Sequence, residues 1–120
     1  MSNNPFQNLP QGWEVKTLGE VCEIISKGAT PKIQKLYKTY NNDAIFLKAE
    51  NITINGEINF NNVKFIDYET HTQTLRRSIL KNNDVLITIV GSLARCAIIE
   101  KNNEVQINLN QAIAFARLKV

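Results

Sequence analysis

Short apolar stretches alternate with polar turns along most of the chain, and this pattern is typical of a strand-rich fold. One stretch, Asp84–Val90, places apolar side chains on both faces of the strand, which is typical of a central strand covered on both sides. The stretches that we predict as strands are Cys22–Ser26, Ala44–Lys48, Val63–Ile66, Asp84–Val90, Arg95–Ile99, Val105–Asn108 and Ala112–Leu118.

Turn and helix signals complete the prediction. Asn55-Gly56 lies between isoleucine-containing flanks and predicts a hairpin, with residues 63–66 as the returning strand. Asp67 is a suitable N-cap for a short helix that reaches Leu75, and residues 13–21 suggest a strand followed by one helical turn. The sequence therefore predicts an α+β fold with a strand-rich mixed sheet, one or two short helices and long polar loops.

The length and composition fit one globular domain. The chain has 120 residues, of which 43% are hydrophobic and 21% charged. Residues 1–11 are polar and hold two of the three prolines, so we predict a flexible lead-in there and a domain over residues 12–120. No apolar run approaches the roughly 20 residues of a membrane-spanning helix, and the N-terminus lacks signal-peptide features. We expect a cytoplasmic protein without membrane contact.

Catalytic motifs are missing from the sequence. It contains no phosphate-binding loop, dinucleotide-binding glycine pattern or amino-methyltransferase signature, and Glu14-Val15-Lys16 is only half of a nuclease metal motif. We interpret Cys22 and Cys96 as reduced and buried, and the one histidine, His71, as a surface residue. We expect no enzyme activity, cofactor or metal in this chain.

Three polar loops carry groups that suit a polyanionic partner such as DNA. The net charge is +3, and no acidic residue occurs between Glu23 and Asp43, a stretch that contains four lysines. Lysine and arginine neutralise phosphates, whereas Arg, Asn, Gln, Ser and Thr can read base edges. The candidate DNA-binding residues are Lys27, Gly28, Thr30, Lys32, Lys48, Asn51, Ser92, Arg95, Asn110 and Gln111.

Each loop also has a structural interpretation. Residues 26–32 could be a solvated turn, although their one-signed charge favours binding, and for residues 48–53 the two interpretations weigh equally. Arg95 could be a surface charge on a strand. Asn110 and Gln111 could be a buried amide pair that satisfies the loop backbone, and for these two we favour the structural role.

The same segments resemble the target-recognition domains of type I restriction-modification specificity subunits. No single motif carries the resemblance, but their order and spacing do, over nearly the whole chain. Ala94 departs from the glycine that the family usually has before the arginine. The matching segments are Leu9–Val21, Lys27–Pro31, Ile45–Ile52, Leu80–Val90, Gly91–Arg95 and Asn110–Ala112.

The resemblance implies sequence-specific binding of double-stranded DNA, which directs methylation and cleavage by partner subunits in host defence. In the family, two such domains are separated by long helices that bind the methylase subunits. The methylase uses S-adenosylmethionine, and separate restriction subunits cut the DNA. Because the chain ends at Val120, just after the Asn-Gln element, we expect a recognition domain that is incomplete at its C-terminal end. The alternatives are a fragment of a fused restriction-methylation enzyme and an inert or protein-interaction remnant.

Overall fold

The fold is strand-rich, as the apolar pattern predicts. The computed structural model describes residues 17–32, 35–40, 43–101 and 104–119, and the lead-in predicted for residues 1–11 lies outside them. Within these ranges there is one four-residue α-helix, α1 (Leu18–Val21), and none of the helices has the length and apolar character needed to cross a membrane. The strands are β1 (Cys22–Lys27), β2 (Ala44–Leu47), β3 (Lys64–Ile66), β4 (Val85–Val90), β5 (Leu93–Ile98), β6 (Ile107–Leu109) and β7 (Ile113–Leu118).

The strands form two sheets. A four-stranded antiparallel sheet has the order β1-β7-β4-β5, and a three-stranded sheet has the order β3-β2-β6 with β2 and β6 parallel. The chain passes from the small sheet to the large one between β6 and β7, through the turn at Asn110-Gln111. The free side of β6 is partly covered by the loop that precedes β4, since the Leu80 amide in that loop donates to the Ile107 carbonyl at 3.0 Å. The fold is therefore α+β, as predicted.

One apolar core joins the two sheets. Leu47 and Leu109 from the small sheet pack in the same cluster as Leu86 and Phe115 from the large sheet, and all four side chains are buried. Burial of such a side chain stabilises a fold by about 1.5–3 kcal/mol. Phe46 lies on the opposite face of β2 and belongs to a second, smaller cluster. The core thus fixes the ends of both sheets relative to one another.

The prediction that β4 is central is confirmed, but the prediction that both of its faces are covered is wrong. β4 lies between β7 and β5, and Leu86 and Thr88 point into the core. Ile89 on the other face is 70% exposed, and Cys96 on neighbouring β5 is also exposed, so only Cys22 of the two cysteines is buried. Antiparallel sheets can leave one face to solvent, and alternation within one strand does not reveal this.

Of three local predictions, the hairpin is corrected and the two short helical segments are confirmed. Asn55-Gly56 forms a tight turn with Gly56 at φ +82°, but only one bridge, Ile52 to Ile58, flanks it, and β3 pairs with β2 across a longer loop. The short helix after Asp67 is confirmed as a π-helical segment, Thr70–Thr74, whose first amide is capped by the Asp67 carboxylate at 2.7 Å. A helical turn is also confirmed at α1, whereas the strand predicted just before it lies outside the described residues.

Candidate nucleic-acid interface

The candidate loops meet at one end of the fold. β1, β4, β2 and β6 finish there, and β5 and β7 begin there, as the pairings of Lys27 with Ala114, Thr88 with Ile113 and Leu47 with Leu109 require. We call the surface formed by residues 27–32, 48–51, 91–95 and 110–111 the loop end. All ten residues predicted from the sequence therefore lie on one side of the molecule, although they are spread over more than eighty positions of the chain.

The loop of residues 27–32, which we call the basic loop, is anchored by Gly28. A Cβ atom on this residue would lie 1.9 Å from the Leu109 carbonyl oxygen and 2.5 Å from that of Asn110, so only glycine allows the observed packing. The Gly28 amide also donates to the Ile113 carbonyl at 3.2 Å. Gly28 therefore admits the close approach of the backbone at the β6–β7 turn. Lys27 and Lys32 extend from this fixed loop and are exposed.

Asn51 braces the second loop from inside. Its side chain is buried, its Oδ1 accepts from the Lys48 amide at 2.9 Å, and its Nδ2 donates to the carbonyls of Asn59 and Asn62 at 3.3 and 3.2 Å. Lys48 is half-buried and forms an ion pair with Glu50 at 3.2 Å. A backbone hydrogen bond and the Lys48 cation lower the pKa of Glu50 below its ordinary value, against the effect of burial. Both side chains predicted to bind DNA here are therefore engaged within the loop.

Arg95 connects the large sheet to that same loop. Its Nη1 donates to the Ile52 carbonyl at 3.0 Å, and its Nε is buried without a partner among the described residues. It is half-buried, so the structural alternative of a surface charge on a strand is wrong. Ser92 is exposed in the preceding tight turn, where Gly91 has φ +65°. The arrangement leaves Ser92 accessible and ties Arg95 to the backbone.

The β6–β7 turn divides its two amides between backbone and surface. Asn110 Oδ1 accepts from the Ala112 amide at 3.0 Å, and the Asn110 amide donates to the Leu47 carbonyl at 3.0 Å, so Asn110 satisfies the loop backbone. Gln111 is exposed and accepts a hydrogen bond from the Thr30 hydroxyl, which joins this turn to the basic loop. The expectation that both amides are buried is wrong.

A cleft beside the basic loop is lined by two arginines that are not among the ten predicted DNA-binding residues. Arg76 and Arg77 lie on a 3₁₀ turn, Arg76–Ser78, and are exposed. The cleft holds about 440 Å³ between residues 26–29 on one wall and residues 74–78 on the other. The signal in the sequence was an Arg-Arg pair in a stretch without acidic residues between Glu69 and Asp84. It was passed over because it carries no strand pattern or glycine turn.

His71 is a buried structural residue, so its interpretation as a surface histidine is wrong. Its ring is 0% exposed, with Nδ1 3.1 Å from Asn108 Nδ2 and Nε2 3.3 Å from Gln106 Oε1. An amide nitrogen can only donate, so Nδ1 accepts and the proton resides on Nε2 of a neutral ring. Burial lowers the pKa of His71, and the Lys101 charge lowers it further, whereas the bond to Gln106 opposes both.

No candidate metal-binding site occurs in the part of the chain that the structure describes. Within those residues, no three histidine, cysteine or carboxylate side chains come together in a group that could hold a metal ion. The predicted DNA-binding positions of the loop end carry hydroxyls, amides and cations, which are groups that bind by hydrogen bonding and charge.

Comparison with known proteins decides the family. The model of the type I restriction modification DNA specificity domain matches residues 10–119. The chain belongs to this family. The specificity domain is also 38% identical, over 63 residues, to the type I restriction enzyme EcoBI specificity subunit of Escherichia coli. That match covers 52% of this chain and 12% of the relative.

The fold of the specificity domain recurs in a solved structure. The crystal structure of the HsdS subunit from Thermoanaerobacter tengcongensis superimposes with a TM-score of 0.62 at 19% sequence identity. The superposition covers 98% of this chain and 26% of that one. The likeness establishes a common fold, and the chain spans only a small part of each of these two longer proteins.

Proposed function

We propose that this domain binds double-stranded DNA in a sequence-specific manner as the recognition component of a type I restriction-modification system. The observation that carries the proposal is the convergence of the polar loops at one end of a rigid two-sheet core, in a member of the specificity-domain family. A reader of DNA requires polar groups held in fixed positions, because phosphate contacts set orientation while base contacts set specificity.

We assign the candidate residues to three roles on the basis of their exposure and bonding. Lys27 and Lys32 are exposed cations suited to phosphates, and Thr30, Ser92 and Gln111 are exposed polar groups suited to base edges. The remaining residues, which shape the surface through internal bonds or packing, are Gly28, Lys48, Asn51, Arg95 and Asn110.

The domain acts without catalysis in this proposal. Methylation and cleavage belong to partner methylase and restriction subunits, to which the recognition component delivers the DNA. The family of the domain and the designation of the Escherichia coli relative as a specificity subunit support this assignment. The domain would work in the cytoplasm, where these partners meet the DNA.

The deciding experiment is a fluorescence-anisotropy titration with a randomised duplex at two salt concentrations, followed by selection of a preferred sequence. Lys27→Ala and Lys32→Ala should weaken binding to all sequences alike and reduce its salt dependence. Ser92→Ala and Gln111→Ala should instead reduce the preference for the selected sequence, at a cost of about 1–3 kcal/mol per lost base contact.

Lys81→Ala is the matched control. Lys81 is exposed and precedes β4, so it lies at the end of the large sheet opposite the loop end. Its loss removes the same charge and should leave affinity and preference unchanged. Absence of DNA binding at micromolar concentrations of folded protein would overturn the proposal. Binding in which Lys81→Ala has the same effect as Lys27→Ala would show that the loop end has no special role.

A further inference from the structure

Two arginines of the domain have almost no internal partners among the described residues, although they are firmly placed. In the part of the chain that the structure describes, the Arg77 guanidinium has no ion pair or hydrogen bond, and that of Arg76 donates only to the Gln73 carbonyl, at 3.1 Å. Arg117, by contrast, is committed to Asp84, and Arg95 donates to the Ile52 carbonyl. Arg76 and Arg77 therefore keep nearly all of their five N–H donors each for an external acceptor.

The turn that carries these arginines is pinned to the core by Asn108. Asn108 is 0% exposed on β6, and its Nδ2 donates to the Leu75 carbonyl at 3.0 Å, just before the turn. Its Oδ1 accepts from the Ser78 hydroxyl at 2.5 Å, at the end of the turn. The backbone on both sides of the arginine pair is thus fixed before any ligand arrives, which reduces the entropy lost on binding.

The opposite wall of the cleft adds a third cation. Lys27 ends β1 and lines the cleft together with Ser26 and the backbone of Gly28, the residue that locks this wall against the β6–β7 turn. None of the described residues that line the cleft is acidic, so three positive charges converge there without a carboxylate from these residues between them. A concave surface lined by charges of one sign concentrates the field and attracts the opposite charge.

We propose that the cleft between Lys27 and the Arg76–Arg77 turn is a clamp for the phosphate backbone of DNA. The inference rests on the proposed function and adds a second surface to it. The forked geometry of arginine matches phosphate oxygens in pairs, and lysine adds a point charge. The clamp borders the loop end through Lys27 and Gly28, so it holds the backbone beside the bases that Thr30 and Gln111 face. It sets affinity and register without reading sequence.

The test compares two double variants in salt-dependent DNA binding. Arg76→Gln/Arg77→Gln removes the two free arginines, and Lys81→Gln/Lys119→Gln removes two positive charges at the opposite end of the large sheet. Anisotropy is measured at several salt concentrations with a randomised duplex and with the selected duplex. The arginine variant should lower the slope of log K against log salt by up to about 1.8, because each phosphate contact contributes about 0.9. The control should keep the wild-type slope.

The ratio of affinities for the selected and randomised duplexes separates the clamp from base readout. It should stay at the wild-type value in the arginine variant, and Arg76→Lys/Arg77→Lys should restore most of the slope. An unchanged slope in the arginine variant, with wild-type protein still reading sequence, overturns the clamp alone. A lost preference with an unchanged slope also overturns it, because the cleft would then read bases. Failure of the wild-type protein to bind any duplex overturns the proposed function and the clamp together.

Discussion

Arg117 holds Asp84 with two parallel bonds across the large sheet. Its Nε donates to Oδ1 and its Nη2 to Oδ2, both at 2.9 Å, and the Asp84 side chain is only 1% exposed. The hydrogen bonds that Arg117 donates to Asp84 raise the pKa of Arg117 above its ordinary value, against the effect of burial. Arg117 Nη2 also donates to the Ile79 carbonyl, so this pair fastens the start of β4, the end of β7 and the segment before Lys81 together.

Removing Arg117 should destabilise the domain strongly. Arg117→Leu leaves the Asp84 carboxylate buried with, among the described residues, the Lys81 amide as its one remaining donor. Loss of one partner of a buried ion pair costs about 3–5 kcal/mol. The free energy of unfolding, from urea titration, measures the effect. The double variant Asp84→Asn/Arg117→Leu should recover a large part of the loss, because no charge is then stranded. A loss below about 1 kcal/mol in the single variant would mean that solvent reaches Asp84.

Gly28→Ala should destabilise the protein and disturb the loop end. The added methyl group would overlap the backbone oxygens of Leu109 and Asn110, which cannot turn away as a side chain could. Overpacking of this kind costs about 1–3 kcal/mol or more. Urea unfolding and DNA anisotropy should both report the change. Gly19→Ala in α1 is the control, since the nearest atom to its added Cβ would be the Thr17 hydroxyl oxygen at 3.9 Å, and it should be at least as stable as the wild type.

The sequence predicts strands well where apolar patterning and turn residues agree. β1, β4 and β7 lie within a residue of their predicted bounds, since each contains several apolar residues and has a turn or loop at one end. The pattern does not tell which face of a strand meets the second sheet, because that depends on partners distant in the chain. Ile89 and Cys96 were therefore placed inside, although they lie on the open face.

The candidate site was predictable in position but not in role. The ten residues meet at the loop end because they follow or precede strand ends, which the sequence indicates. Whether an amide points inward or outward depends on which carbonyls lie near it. Asn51 donates to carbonyls eight and eleven positions later, whereas the exposed Gln111 accepts from the Thr30 hydroxyl. Arg76 and Arg77 lie on a 3₁₀ turn and gain their significance from Lys27, which lies about fifty positions earlier at the end of β1.

Asn51→Ala should loosen the loop that follows β2. Three backbone groups lose their partner, and an unsatisfied buried polar group costs about 1–3 kcal/mol. Asn51→Asp should not rescue stability, because its carboxylate would face the carbonyl oxygens of Asn59 and Asn62. Urea unfolding measures both variants, with Asn61→Ala as the control at an exposed asparagine of the same loop. Wild-type stability in Asn51→Ala would show that the loop has other supports.

Stability should fall in mildly acid solution because of His71. Its ordinary pKa is 6.5, and burial lowers it in the folded state, so the unfolded chain takes up a proton at a higher pH than the folded chain does. The stability that comes from keeping the His71 ring neutral is fully present above pH 6.5, and it is lost as the pH falls from there toward the lowered pKa of the folded state. Within this window the free energy of unfolding should fall by at most about 1.4 kcal/mol per pH unit from this group.

The control for this prediction is His71→Gln, which keeps a donor and an acceptor but cannot titrate. Urea titrations of both proteins at several pH values between 7.5 and 5 give the difference in their free energies of unfolding. Carboxylates titrate in both proteins, so their effects cancel, and the remaining slope belongs to His71. The wild type should lose stability faster than the variant as the pH falls. Protonation would also place an N–H at Nδ1 against the Asn108 amide, the residue that pins the Arg76–Ser78 turn. If the free energies of unfolding of the two proteins fell in parallel with pH, the His71 ring would be protonated in the folded state at no cost. That outcome would contradict the burial and bonding described for the ring.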